Sequence, residues 1–242
     1  MDLAYPASPW SRRVKADLHI HTAYSPDSLS TLPQIERAAI RRGLDVLAIT
    51  DHNAMGAALL LARWSQLRII VGEEISTTQG EIIGLFMQEE LPAGLSPLDT
   101  VRAIKAQGGL VCIPHPCDQA RRSSALSPQA LNEVLPWVDM IEVLNARTTY
   151  RADLVAAEAI AERYGLARSA GSDAHAPAEI GRAFVELPAF DDAASFLSAL
   201  SHGTVRGKLS SPLVHVSSTA ARITKTMSVP TWAGQRYRSL RP

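Results

Sequence analysis

The sequence predicts an α/β fold, in which helices back a mostly parallel sheet that is either closed as a barrel or doubly wound. Three observations predict it. Short β-like apolar runs alternate with longer stretches of helical spacing along most of the chain. At 242 residues with 46% hydrophobic content, the chain can bury one sizeable core and needs only one domain for it. No apolar run approaches the ~18 residues of a membrane span.

In chain order, strands are expected at about 14–20 (VKADLHI), 45–50 (DVLAIT), 68–74 (RIIVGEE), 81–87 (EIIGLFM), 109–113 (GLVCI), 138–144 (VDMIEVL) and 166–171 (LARSAG). Helices are expected between them at about 33–43, 54–64, 97–107, 127–135 and 151–164. The stretch RADLVAAEAIAERYG has helically spaced apolar residues and Gly165 as its stop, and Ser96-Pro97 is an orthodox helix start. About six residues, including Thr77, Thr78 and Gly80, separate the third and fourth strands. That gap is too short for a helix, so it reads as a hairpin-like irregularity and argues against a standard eight-fold barrel. An extra strand (183–187, AFVEL) and a helix (191–201) come next.

The formal net charge is zero, so bulk charge points to neither nucleic acid nor a membrane as partner. Two cysteines, Cys112 and Cys117, are too few for a disulfide framework and lack a second pair for a zinc knuckle. Cys112 is expected to be a buried strand residue and Cys117 a loop thiol. The opening MDLAYPASPWSRRV has no signal-peptide run, which leads to an expected cytoplasmic location. From Val205 to Pro242 there are seven basic residues and no acidic ones. This tail reads either as a surface-hugging, partly disordered extension or as an arm that attracts an anionic substrate or a neighbouring subunit.

Chemistry-bearing residues gather where the apolar strands end: Asp17-x-His19-x-His21, Asp51-His52, Glu73-Glu74, His115, Asn145 with Arg147, and Asp173-x-His175. Glu81, at the start of its strand, is the exception. Five of the seven histidines fall in these positions, on the rim where α/β barrels build active sites. With a period of two, His19 and His21 share a face with Asp17, and Leu18 and Ile20 point the other way toward the helices. Two such imidazoles form either a hydrogen-bonded pair or a pair of ligands for one divalent ion. Only one of Glu73 and Glu74 can face inward on a regular strand. The prolines flanking His115 would hold its imidazole rigidly.

Together, DLHIHTAYSPDS, ITDHN, GEEIST, GEIIGLF, IPHP, IEVLNAR and SAGSDAHAP, in that order over residues 15–208, resemble the PHP (polymerase and histidinol phosphatase) family of metal-dependent phosphoesterases. The resemblance implies a distorted (β/α)7 TIM-like barrel over 14–208 with its active site at the C-terminal ends of the strands, followed by a basic extension over 209–242. It also implies two or three divalent metal ions. His19, His21 and Asp173 match ligands of a first metal, and Glu74 matches the glutamate shared with a second, leaving Glu73 pointing away. His115 matches a ligand of the second metal, and Glu81 stands where many members carry a histidine for it. His52 and His175 correspond to a third site, with Asp27 where longer members place a histidine. Asp17 and Asp51 resemble residues that orient imidazoles.

Histidine and carboxylate donors without thiolates suit Mn²⁺, Fe²⁺ or Zn²⁺. The expected reaction is hydrolysis of a phosphate ester by a metal-bridging hydroxide, with His175 or His52 protonating the leaving alkoxide if the third site is empty. Arg147 is the first candidate to clamp phosphate, beside Asn145, with Arg121 and Arg122 as alternatives. The expected partner is a small phosphorylated metabolite such as a nucleotide or sugar phosphate. An end-processing nuclease acting on DNA or RNA is the second reading, and a non-catalytic metal-binding scaffold is the third.

Overall fold

The computed structural model describes residues 12–121, 123–211 and 213–228. Its strands are β1 (Arg13–Ile20), β2 (Val46–Ile49), β3 (Arg68–Thr77), β4 (Gly80–Leu85), β5 (Leu110–Ile113), β6 (Met140–Asn145), β7 (Ala167–Gly171), β8 (Ala183–Pro188) and β9 (Thr204–Gly207). Its helices are α1 (Leu32–Arg42), α2 (Gly56–Trp64), α3 (Pro97–Ala106), α4 (Pro128–Val134), α5 (Arg151–Tyr164), α6 (Ala193–Ser201) and α7 (Val214–Ser228). The strands form one sheet in the order β7-β6-β5-β4-β3-β2-β1-β8-β9. It curls until the C-terminal end of β1 meets the segment after β7, where Asp173 N donates to His19 O (2.8 Å) and His21 N to Ala174 O (3.0 Å). Strands β1 to β7 thus close a barrel, while β8 pairs antiparallel with the first half of β1. No helix among the described residues is long and apolar enough to cross a membrane.

Side-chain alternation sorts the core into an inside and an outside. Val14, Ala16, Leu18, Val46, Ala48, Ile70, Ile83, Leu85, Cys112, Met140 and Ala170 join one cluster inside the barrel, which α6 extends with Phe196, Ala199 and Leu200. Leu47 and Ile49 face outward onto α1 and α2, and Val111, Ile113 and Ile141 onto α3 and α4. On β1 the expected alternation fails. The pairing register shifts between Asp17 and Ile20, so Leu18 lies inside the barrel and Asp17 is on the opposite face from the one expected. A bulge of this kind adds a residue and re-aims the next side chains, which is how His19 and His21 come to point inward after Leu18.

Strand β4 runs antiparallel to both β3 and β5. The expected six-residue gap shrinks to Thr78 and Gln79, because Ile75, Ser76 and Thr77 extend β3 and pair with Ile82, Glu81 and Gly80. Gly80 is required at this hairpin: its φ is +116° and an added Cβ would sit 2.7 Å from the Ala125 backbone. The antiparallel course puts the start of β4 at the rim where β3 ends, so Glu81 joins the other strand-end residues. Strand β9, short and mostly exposed, has too little apolar alternation to be seen in the sequence. In the basic extension, residues 214–228 form α7.

Candidate metal centre

His19 and His21 are buried and bring their Nε2 atoms to 3.0 Å from each other. The other nitrogen of each ring is already engaged. His19 Nδ1 lies 3.2 Å from Glu142 Oε1, and His21 Nδ1 lies 3.0 Å from Ser25 Oγ, which donates to Asp51 Oδ1 (2.6 Å). The two Nε2 atoms share their space with Asp173 Oδ1 (3.7 and 3.4 Å) and Glu74 Oε2 (3.4 and 3.3 Å). Glu74 extends the cluster through its second oxygen, 3.2 Å from His115 Nε2. Glu81 stands 3.9 Å from the same nitrogen and 3.6 Å from His52 Nδ1. On the outer side, Asp27 lies between His175 Nε2 (3.2 Å) and His52 Nε2 (3.6 Å).

The backbone is bent to achieve this. His115 (φ 30°) and Asp173 (φ 52°) adopt left-handed conformations, as does Asn53 (φ 51°) beside His52. Asn, Asp and His enter that region more readily than other side chains, and His115 is held there by its neighbours. The His115 N–H donates to Glu142 Oε2 (2.9 Å), so one buried glutamate restrains both His19 and His115. Gly171 gives His19 its room: an added Cβ would lie 2.3 Å from His19 Cβ and 2.9 Å from Glu142 Oε1.

Charge is balanced within the cluster. Burial opposes a proton on His19, but Glu74, Asp173 and Glu142 outweigh it and raise the imidazole well above its usual range. The same contest, with hydrogen bonds to Asp173 and Glu74, lifts His21 to about 9. Burial would raise Glu74 and Asp173, yet the imidazoles, and Arg121 for Asp173, hold both well below the carboxylate range. His175 goes the other way, pushed down to about 4 by burial and by His21. Anionic oxygens and imidazole nitrogens thus converge where each needs a positive charge between them. The donor set fits divalent cations, which would take the place of those protons. Among the described residues, four groups of three donors each have their ligand atoms within 4.8 Å of one another: His19, His21 and Asp173; His19, Glu74 and His115; His52, Glu74 and Glu81; and His21, His52 and His175.

Other expected residues take different places. Asp17 does not orient an imidazole; the bulge turns it away, and it accepts from Ser172 N (2.8 Å) and Gly181 N (2.9 Å). Glu142 has the orienting position instead, and its one sequence cue is a carboxylate inside the apolar run MIEVL. Asn145 donates to Glu142 Oε2 (2.9 Å) and Asp173 Oδ2 (3.1 Å). Arg121 is engaged with Asp118 and Asp173. Arg147 is buried against His175, Glu179 and α7. Arg122 lies outside the described residues. Glu73 faces away from the cluster and accepts from Leu91 N (3.0 Å). Cys112 is buried and Cys117 half-buried, both as free thiols.

Six of these donors, His52, Glu74, Glu81, His115, Asp173 and His175, border a cleft of about 330 Å³ that His215, Ser218, Thr219 and Arg222 of α7 also line. A wider hollow of about 910 Å³ beside α5, α6 and β9 holds none of these donors, so chemistry rather than size singles out the smaller cleft.

Sequence comparison agrees with this geometry. The PHP domain profile matches residues 17–155, and a PHP-associated profile matches 154–205. This chain belongs to the PHP family. The Methanocaldococcus jannaschii protein MJ0417 is 36% identical over 177 residues, covering 72% of this PHP chain and 70% of its own. Among solved structures, a two-domain Bacteroides vulgatus protein containing a predicted PHP-like metal-dependent phosphoesterase superposes with a TM-score of 0.66 at 20% identity. That match covers 81% of this chain and 65% of the Bacteroides one. Endonuclease Q, solved with a 27-mer duplex bearing an abasic lesion, superposes with a TM-score of 0.55 at 14% identity, over 79% of this chain and 57% of its own. At these identities the two structures establish the shared barrel fold and nothing finer.

Proposed function

We propose that this PHP protein hydrolyses a small phosphate ester at a cluster of divalent cations. The observation that carries the reading is the meeting of His19 Nε2, His21 Nε2, Asp173 Oδ1 and Glu74 Oε2, with Glu74 Oε1 turned to His115. His19, His21 and Asp173 would hold one cation; His115 and Glu81 would hold a second, with Glu74 shared. Asp27, His52 and His175 would face a third. Bound there, such cations activate water and offset phosphate charge. The protein's own groups do the positioning. Glu142 fixes the His19 ring and the His115 backbone, and Arg121 holds Asp173 in its ionised form. Of the two outer histidines, burial and His21 push His175 down to about 4, while Glu74 and Asp27 raise His52 against its burial, so with no third cation bound His52 is the better placed to give a proton to a leaving oxygen.

The cleft volume favours a small ester such as a nucleotide or sugar phosphate over a duplex. The second reading, nucleic-acid processing, draws support from Endonuclease Q and from Arg222 and Lys225 on α7. A phosphate-release screen on Mn²⁺-loaded protein separates the two, using nucleoside bisphosphates, cyclic phosphates, histidinol phosphate and short oligonucleotides. Release from a small ester, abolished in His19→Ala with the fold intact by circular dichroism, is the expected result. Steeply salt-dependent activity confined to oligonucleotides would transfer the reading to a nuclease. No release from any compound by stoichiometrically loaded protein would end it.

A further inference from the structure

Helix α7 spans the barrel mouth and is fastened at both ends. Near its start, Arg147 Nη2 donates to Val214 O (2.7 Å) and Ser218 Oγ (2.9 Å). Near its end, Lys225 Nζ donates to Ala23 O (2.7 Å) and to Ser25 O, in the loop after β1. His215, Ser218, Thr219 and Arg222 recur at the spacing of one helical face, and that face lines the cleft. Val216 and Ile223 stand outside, 63% and 54% exposed. A helix placed to bury apolar area would turn these two inward. This one turns hydrogen-bonding groups toward the candidate centre instead.

The three described arginines on the cleft differ in what they can offer a ligand. Arg121 is engaged with Asp118, Asp173 and Asn145. Arg147 is 3% exposed and shared among His175, Glu179 and α7. Arg222, by contrast, has a side chain 64% exposed and bonds through Nη2 alone, to Asp27 Oδ2 (2.8 Å). Its Nε and Nη1 groups have no partner among the described residues. A guanidinium tethered by one edge is pre-oriented and still presents a free fork to phosphate oxygens.

We propose that α7 is the substrate-recognition wall of this cleft and that Arg222, rather than Arg147, binds the substrate's phosphate group. The proposal rests on the phosphoesterase reading. Its test uses the full Mn²⁺-loaded chain with Arg222→Ala and Arg222→Lys, and inorganic phosphate as the binding probe. In Arg222→Ala, KM for the ester and the calorimetric dissociation constant for phosphate should both rise about 10- to 100-fold, as expected for one lost charge-assisted contact, with kcat within about threefold. Arg222→Lys should recover part of the loss. Metal content and thermal midpoint should not move, which a merely structural role for the Arg222–Asp27 pair would not allow. Unchanged phosphate affinity in Arg222→Ala, no phosphate binding by the unaltered chain, or metal loss that parallels the affinity loss would each overturn the proposal. Failure to hydrolyse any ester would strike the phosphoesterase reading alone, because the calorimetric arm still decides Arg222.

Discussion

The two ends of the barrel interior are built on opposite principles from the same strands. Toward one end, Val14, Ala16 and Leu18 of β1 meet Val46, Ala48, Ile70 and Leu85, and Phe196 of α6 packs among Phe86 and Phe190 at ring-centroid distances of 5.3 and 4.9 Å. Nothing there is directional, and stability scales with the apolar area buried. At the mouth, His19, His21, Glu74, Asp173 and Glu142 are equally buried but charged or polar, and each is tolerable only because another holds it. The contrast teaches that this fold draws cohesion from one end and spends some of it on chemistry at the other.

Phe196→Ala should produce the largest effect on stability. A fully buried aromatic lost from the apolar end should cost about 3–5 kcal/mol, read as a lower midpoint in urea unfolding. Kinetic constants per folded molecule should stay near those of the unaltered protein. A large kinetic change at unchanged stability would show that the two ends are not separable.

Glu142→Gln should do the reverse. The shape is retained while the charge that orients His19 is lost, so metal affinity should fall about 10- to 100-fold in a Mn²⁺ titration. The metal-free midpoint should change little by comparison. A purely structural Glu142 would instead lower the midpoint and leave metal affinity as it was.

The smallest effect should come from pH on metal-stripped protein. His21 rises from its ordinary 6.5 to about 9 in the fold, so the folded state binds the proton more tightly. Its stabilisation is therefore complete below about 6.5 and lost as pH rises through about 9. Glu73, raised to about 7 by burial, acts in the same sense at lower pH. Denaturant midpoints at pH 6 and pH 9 check the sign, and bound cations should remove the dependence by displacing the protons. A metal-free protein more stable at pH 9 would contradict the charge balance described for the mouth.

Much of the architecture was legible in the linear chain. The strand and helix order, the alternation that puts Leu47 and Ile49 under helices, and the arrival of His52, Glu74 and Asp173 at strand ends all come from local periodicity. The positions of β9 and α7 were not legible: β9 is too short and exposed for a pattern, and the cleft-facing side of α7 is polar.

Residue types and their spacing along single strands were the sequence's own to determine, because alternation with a period of two is a property of neighbouring residues. Which side chains meet was decided only by closure of the barrel. The bulge between Asp17 and Ile20 exchanged the faces of β1, and the antiparallel course of β4 delivered Glu81 to the rim. Glu142 reached His19 across 123 residues of chain. Contacts at such separation exist only once the sheet has curled on itself, and no local pattern records them.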